Sequence, residues 1–241
     1  MSRPTAVIPM PSLPRPINLG DRIYADLLSR LQHGTIASSE RLVDVDLART
    51  YGTSRMPVRD ALLRLTNEGY LVGTTRGFAV PQHTDQDIRD IFEVRRQLEP
   101  YAAGCAARDL DQQAQRMLTQ ALKGARAAHT ADDPHAMITS NIAFRSAWQS
   151  AVSNRRLAET ISRFADQVHT VRVTTLADRA TRRVVVQGLE GLYDAMVRHD
   201  QPLTVKRMSA FIDAAENAFF DRSSAAATEV ARAMPATRRR R

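Results

Sequence analysis

The stretch YGTSRMPVRDALLRL, residues 51–65, gathers polar and cationic groups at the opening of a helix whose other side is apolar. Val58, Ala61, Leu62 and Leu65 recur at helical spacing and form the inward stripe. Ser54, Arg55 and Arg59 stand beside it, at the end where the helix dipole is positive and cations are mildly disfavoured. A negatively charged partner would account for that crowding. Arg55 and Arg59 are one turn apart and share a face. A guanidinium can grip guanine O6 and N7 through two hydrogen bonds, a pairing worth roughly 1–3 kcal/mol of discrimination. The Ser54 hydroxyl and the open N–H groups of the first turn suit a phosphate oxygen. Pro57 falls in that same turn, where a missing N–H is tolerated.

Charge distribution points the same way. Residues 1–81 carry ten basic and seven acidic side chains, residues 82–222 nineteen and eighteen, and residues 223–241 five and one. A basic surplus at the ends of a chain of net charge +8 suits a nucleic-acid contact made by the N-terminal part. Apolar content of 43% and charged content of 25% are those of a soluble globular protein. No apolar run approaches the roughly 18–20 residues that span a bilayer, so no membrane partner is expected. The proline-broken N-terminus does not read as a secretory signal. Cys105 is the sole cysteine, read as a small buried hydrophobe in a reducing, cytoplasmic setting. No Walker loop, G-x-S-x-G or H-E-x-x-H occurs, and an enzyme is not expected.

The elements that position these residues follow from periodicity. Residues 1–16 hold five prolines and read as a flexible arm. A helix is expected from Leu19 to His33 with Ile23, Leu27, Leu28 and Leu31 inward, then a short helix within RLVDVDLARTYG, closed by Gly52. The arginine-bearing helix follows, capped by Ser54 and ending near Gly69. YLVGT and GFAVP make a hairpin turning at Thr75, Arg76 and Gly77. Three helices and a hairpin over residues 17–81 make a winged helix-turn-helix. Beyond Pro81 the pattern is helical. A long helix from Thr84 to about Asp109 should face Ile88, Ile91, Phe92, Val94, Leu98 and Ala102 inward. Further helices are expected at about 111–129, 134–152, 154–177, 181–199 and 201–221. The fold class is thus mainly α: the winged unit plus a C-terminal six-helix bundle over 82–222, with a basic disordered tail over 223–241.

LARTYGTSRMPVRDALLRLTNEGYLVGTTRGFAV closely resembles the DNA-binding domain of GntR-type bacterial regulators, whose hallmark reads LA-x-x-x-G-[VT]-S-R-x-P-V-R-x-A-L-x-x-L-x-x-x-G. IFEVRRQLEPYAAGCAA resembles the opening of the helical domain of the FadR branch, and six helices resemble its VanR-like members. The resemblance implies a homodimeric regulator, commonly a repressor, that binds operator DNA under the control of a small organic acid. It assigns DNA contact to Ser54, Arg55, Pro57, Arg59, Arg76 and Gly77. Val45 departs from the pattern where many members have arginine, with Arg49 one turn later.

In that branch a divalent ion is often held by an Asp or Asn and three His. The corresponding positions here are Asn141, Arg145, Leu189 and Phe211, so neither a metal nor another cofactor is expected. Arg145 beside Asn141 would pair with an anionic effector directly, and Arg95 is placed at the pocket mouth. A salt bridge from Arg145 to Glu99 or Glu159 is the competing reading. Asp166 and His169, three apart, read as a helix-surface ion pair, and Phe144 and Trp148 as core or pocket wall. An architectural DNA-binding protein without an effector is the alternative function.

Overall fold

Helix α1 (Leu19–Gln32) opens at Asn18, whose side chain accepts from the Asp21 N–H at 2.8 Å, and buries Ile23, Leu27 and Leu31. The structure is a computed structural model describing residues 18–37, 39–167 and 169–233 (without the side chains of 165–167, 170 and 225–233), so the expected arm lies outside it. Strand β1 (Arg41–Leu42), helices α2 (Asp44–Thr50) and α3 (Arg55–Asn67), and strands β2 (Val72–Thr74) and β3 (Gly77–Ala79) complete the winged unit. Val58, Ala61, Leu62 and Leu65 of α3 pack with the buried face of α1, and Leu42, Tyr70, Leu71 and Val80 close this first core.

The helix expected within RLVDVDLARTYG begins only at Asp44. Arg41 and Leu42 instead pair antiparallel with Ala79 and Phe78, giving sheet order β1-β3-β2. The hairpin register sets Val72 opposite Ala79 and Thr74 opposite Gly77. Gly77 has φ +123°, and a Cβ there would come within 2.6 Å of the Leu42 carbonyl oxygen. Gly77→Ala is therefore expected to pry β1 from β3 at a cost of about 1–3 kcal/mol. Hydrogen exchange at the Phe78 and Ala79 amides reads this directly, and unchanged protection would contradict the close contact.

Seven helical runs follow among the described residues: α4 (Asp85–Arg108), α5 (Gln112–Thr130), α6 (Pro134–Ser150), α7 (Arg155–Gln167), α8 (His169–Leu176), α9 (Arg179–Val197) and α10 (Gln201–Ala233). The expected 154–177 helix corresponds to α7 and α8, described on either side of residue 168. Side chains set the helix starts. Thr84 and Asp87 form a reciprocal capping box on α4, and Asp111, Asp133 and Asp178 each accept an N–H three residues on. Asp132 and His199, which separate successive helices, are left-handed residues, φ +56° and +54°.

Two expectations are corrected here. Val94 and Leu98 are only half-buried, and the inner face of α4 carries Arg95 and Glu99 instead. Helix α10 continues past 222 to Ala233, because SSAAATEVARA is rich in alanine and meets no proline before Pro235. Residues 223–233 are thus helical, and 234–241 lie outside the described residues.

Phe92, Leu118, Met137, Phe144, Trp148, Leu189 and Ile212 belong to the second core, at the centre of the helical bundle. Cys105 is buried, as expected. The two units meet at a joint. His33 Nε2 lies 2.9 Å from Thr139 Oγ1, its ring stacks on His135, and the Tyr70 ring lies 6.0 Å from that of His169. His169 is buried, so it is no surface partner, and the side chain of Asp166 lies outside the description. No described helix is long and apolar enough to cross a membrane.

Candidate nucleic-acid interface and buried arginine cluster

Helix α2, a turn through Gly52 and helix α3 bring Ser54, Arg55 and Arg59 to one end of the winged unit. Ser54 caps α3 by its extended backbone (φ −75°, ψ 164°) and makes no side-chain cap bond, leaving its hydroxyl for another acceptor or donor. The Arg55 and Arg59 side chains are 62% and 58% exposed. Both reach one carboxylate. Arg55 Nη2 donates to Asp44 at 3.0 and 3.3 Å, and Arg59 Nη1 stands 3.8 Å from it.

Asp44 was not singled out from the sequence, although an acid in the first turn of α2 is favoured by the helix dipole. Its side chain is only 12% exposed, whereas its partners are open to solvent. Exposed pairs of this kind contribute only about 0–1 kcal/mol, so Asp44 orients the two guanidiniums more than it stabilises the fold. Asp44→Ala is expected to tighten binding to scrambled DNA and to steepen its salt dependence, because one negative charge beside the phosphates is gone. Discrimination for a specific site should fall by about tenfold as the arginines lose their orientation. Competition titration reads both, and unchanged discrimination would contradict the orienting role.

The hairpin tip is shaped by Thr74, whose hydroxyl donates to the Gly77 carbonyl at 3.0 Å and accepts the Arg76 N–H at 3.3 Å. Arg76 is exposed there. Val45 is half-buried, and Arg49 pairs with Asp46 on its own helix at 3.5 Å.

The second constellation lies within the bundle. Arg95 Nε and Arg145 Nη2 both donate to Glu99 Oε1 at 2.6 Å, and Glu99 is 1% exposed. Arg95 is thus a buried residue of the cavity lining rather than one at a mouth, and Arg145 pairs with Glu99, one of the two carboxylates weighed for it. Burial alone would raise the Glu99 pKa. The guanidiniums of Arg145 and Arg95 outweigh it and hold the carboxyl below its usual range. Asn141 accepts from Arg172 Nε at 3.2 Å, a neighbour the sequence reading missed. Arg172 stands two helices on, in α8, so no spacing on α6 announces it.

Arg95, Asn141, Arg145 and Arg172 line a cavity of about 60 Å³ with Phe211 and no carboxylate among its lining residues. Asn141, Arg145, Leu189 and Phe211 also line a neighbouring void of about 20 Å³. The four positions matched to a metal-ligand set therefore do converge in space. A guanidinium, an isobutyl group and a phenyl ring offer a cation no donor pair. Phe144 and Trp148 are buried beside them as core.

Comparison with known proteins agrees with this division. Residues 19–79 match the bacterial regulatory proteins of the gntR family, and residues 90–214 match the FCD domain. The chain is 27% identical over 154 residues to the HTH-type transcriptional regulator YdhC of Bacillus subtilis, covering 63% of this chain and 69% of that protein. It is 31% identical over 130 residues to the HTH-type transcriptional regulator McbR of Escherichia coli, covering 54% and 59%. The solved structure of E. coli McbR/YncC superposes with a TM-score of 0.76 at 23% identity, over 86% of this chain and 99% of that one, which shows the shared fold. These families and relatives are transcriptional regulators, not enzymes. The chain belongs to the gntR family of bacterial transcriptional regulators, with an effector-binding FCD domain as its helical half.

Proposed function

We propose that this regulator binds a pseudo-palindromic operator in double-stranded DNA as a homodimer. In this reading a small organic acid, seated in the helical domain without a metal ion, alters operator affinity. Residues 17–81 make the DNA contact and 82–222 the effector and dimerisation unit. The chain is placed in the FadR branch beside its VanR-like members, acting as a repressor in the cytoplasm. DNA contact is assigned to Ser54, Arg55, Pro57, Arg59, Arg76 and Gly77, and effector contact to Arg95, Asn141 and Arg145.

One observation carries the reading: two exposed arginines, oriented by a single sheltered carboxylate, at the open N-terminus of α3. A helix so equipped suits the major groove, and symmetric half-sites require two copies. Three arginines and no carboxylate lining the cavity support an anionic effector. The effector-independent alternative has one observation in its favour. The voids at Asn141 and Arg145, about 60 and 20 Å³, fall well short of the roughly 300–1,000 Å³ of ligand pockets, although a cavity of about 430 Å³ adjoins them at Val185 and Phe211.

The experiment is a titration of organic acids into the protein bound to DNA from directly upstream of its own gene. An acid that shifts operator affinity by about 5–150-fold supports effector control. Selective DNA binding that no acid alters favours the architectural alternative.

A further inference from the structure

The arginine-lined cavity adjoins a larger chamber of about 430 Å³, walled by the end of α8, the start of α9 and the middle of α10. Thr175, Val185, Phe211 and Ala215 line both spaces and so stand at the boundary between them. The Phe211 ring packs directly on Gly188 of α9, where no room is left for a Cβ. Helix α10 presents Ala214, Ala215 and Ala218 to the chamber, and α9 presents Val184 and Val185. Methyl side chains on one wall leave the space between the helices open. Val184 is 50% exposed, a large apolar side chain half in solvent.

Charge gives the two spaces a direction. Arg95, Arg145 and Arg172 line the inner cavity, without a carboxylate. Two carboxylates, Asp178 and Asp221, line the outer chamber together with Arg222. Asp178 is engaged: it accepts from the Thr181 N–H and hydroxyl at 2.7 and 2.8 Å and stands 3.6 Å from Arg222. Asp221 and Arg222 are exposed, so they belong to the rim. Thr175, at the boundary, donates its hydroxyl to the Val171 carbonyl at 2.7 Å, which leaves the passage largely apolar. An acid is therefore drawn toward the arginines and disfavoured at the rim. Whatever follows its head lies along valine, alanine and phenylalanine.

We propose that the effector is a monocarboxylic acid with an aliphatic tail, its carboxylate in the inner cavity and its tail in the outer chamber. A space of about 60 Å³ admits a headgroup of a few atoms and nothing larger. The chamber of about 430 Å³ lies within the range of ligand pockets. A second carboxylate on the ligand would lie against apolar side chains and near Asp221, so a polyacid fits less well. This inference rests on the effector reading above and names the class of acid.

The test is calorimetric titration of the full chain with butanoate, hexanoate and octanoate, with citrate and hexan-1-ol as controls. Affinity should rise about tenfold for each two methylenes added, and octanoate should bind with a Kd of about 1 mM or tighter. Hexan-1-ol should bind at least about tenfold more weakly than hexanoate, because it brings no charge to the arginines. Ala218→Leu fills the outer chamber and Val184→Glu puts a charge in its wall, and neither residue lines the inner cavity. Val184 is exposed enough that its variant folds whether or not Ala218→Leu does. Each variant should weaken octanoate by at least about tenfold. Undiminished octanoate binding in both variants overturns the chamber as the seat of the tail. Hexan-1-ol binding as tightly as hexanoate overturns the arginine-held head. Affinity that is flat along the series, or citrate binding more tightly than octanoate, overturns the aliphatic class and leaves an effector in the helical domain. No heat from octanoate at about 10 mM also overturns it, while any acid that still shifts operator affinity keeps the effector reading.

Discussion

Glu99→Ala should destabilise the helical domain by about 3–5 kcal/mol. Glu99 is almost wholly buried and accepts at 2.6 Å from both Arg95 and Arg145. Deleting it leaves two guanidiniums facing each other at the centre of the fold with no carboxylate between them. Glu99→Gln keeps the shape and one acceptor, so it should cost less. Urea unfolding measures both. The same group sets a pH dependence. Its folded pKa lies below the unfolded value of about 4.3, so its stabilisation is complete above that value and is lost as pH falls through the folded pKa. The difference between wild type and Glu99→Gln should therefore be full at neutral pH and shrink below about pH 4. A difference that stays constant down to strongly acidic pH would contradict the ion pairing.

Arg55→Ala and Arg59→Ala should each weaken operator binding by about 5–150-fold, the range of one bidentate base contact. Neither should alter unfolding by more than about 0.5 kcal/mol, because both side chains are mostly in solvent. Their shared partner supplies an internal check. Asp44 acts on specificity through these two arginines, so Asp44→Ala should change discrimination in wild type and do so less in the Arg55→Ala background. Equal effects in both backgrounds would mean that Asp44 works by another route.

Much of this was legible in the residues themselves. The stripe Val58, Ala61, Leu62, Leu65 has a helical period, so the face left over for Arg55 and Arg59 followed at once, and all four stripe residues are buried. Strand β1 was not legible. Two residues carry no period, and Leu42 is fixed by pairing with Phe78, a contact made across the wing. The adjacent arginines at 95 and 96 show the same limit. Arg95 turns inward to Glu99, while Arg96 turns outward and binds Asp213 and Glu216 on α10. Spacing along α4 allows either choice, and the position of α10 decides it. Asn141, Arg145, Leu189 and Phe211 were brought together only by resemblance, since three helices separate the first pair from the last residue.

Operator recognition through the start of α3 is tested most directly by fluorescence anisotropy on DNA from directly upstream of the gene, against scrambled DNA, at two salt concentrations. Wild type should prefer the upstream DNA by at least about tenfold at both salts, and Arg55→Ala should bind the two DNAs alike. Undiminished preference in Arg55→Ala, or no preference in wild type, would contradict recognition by this helix.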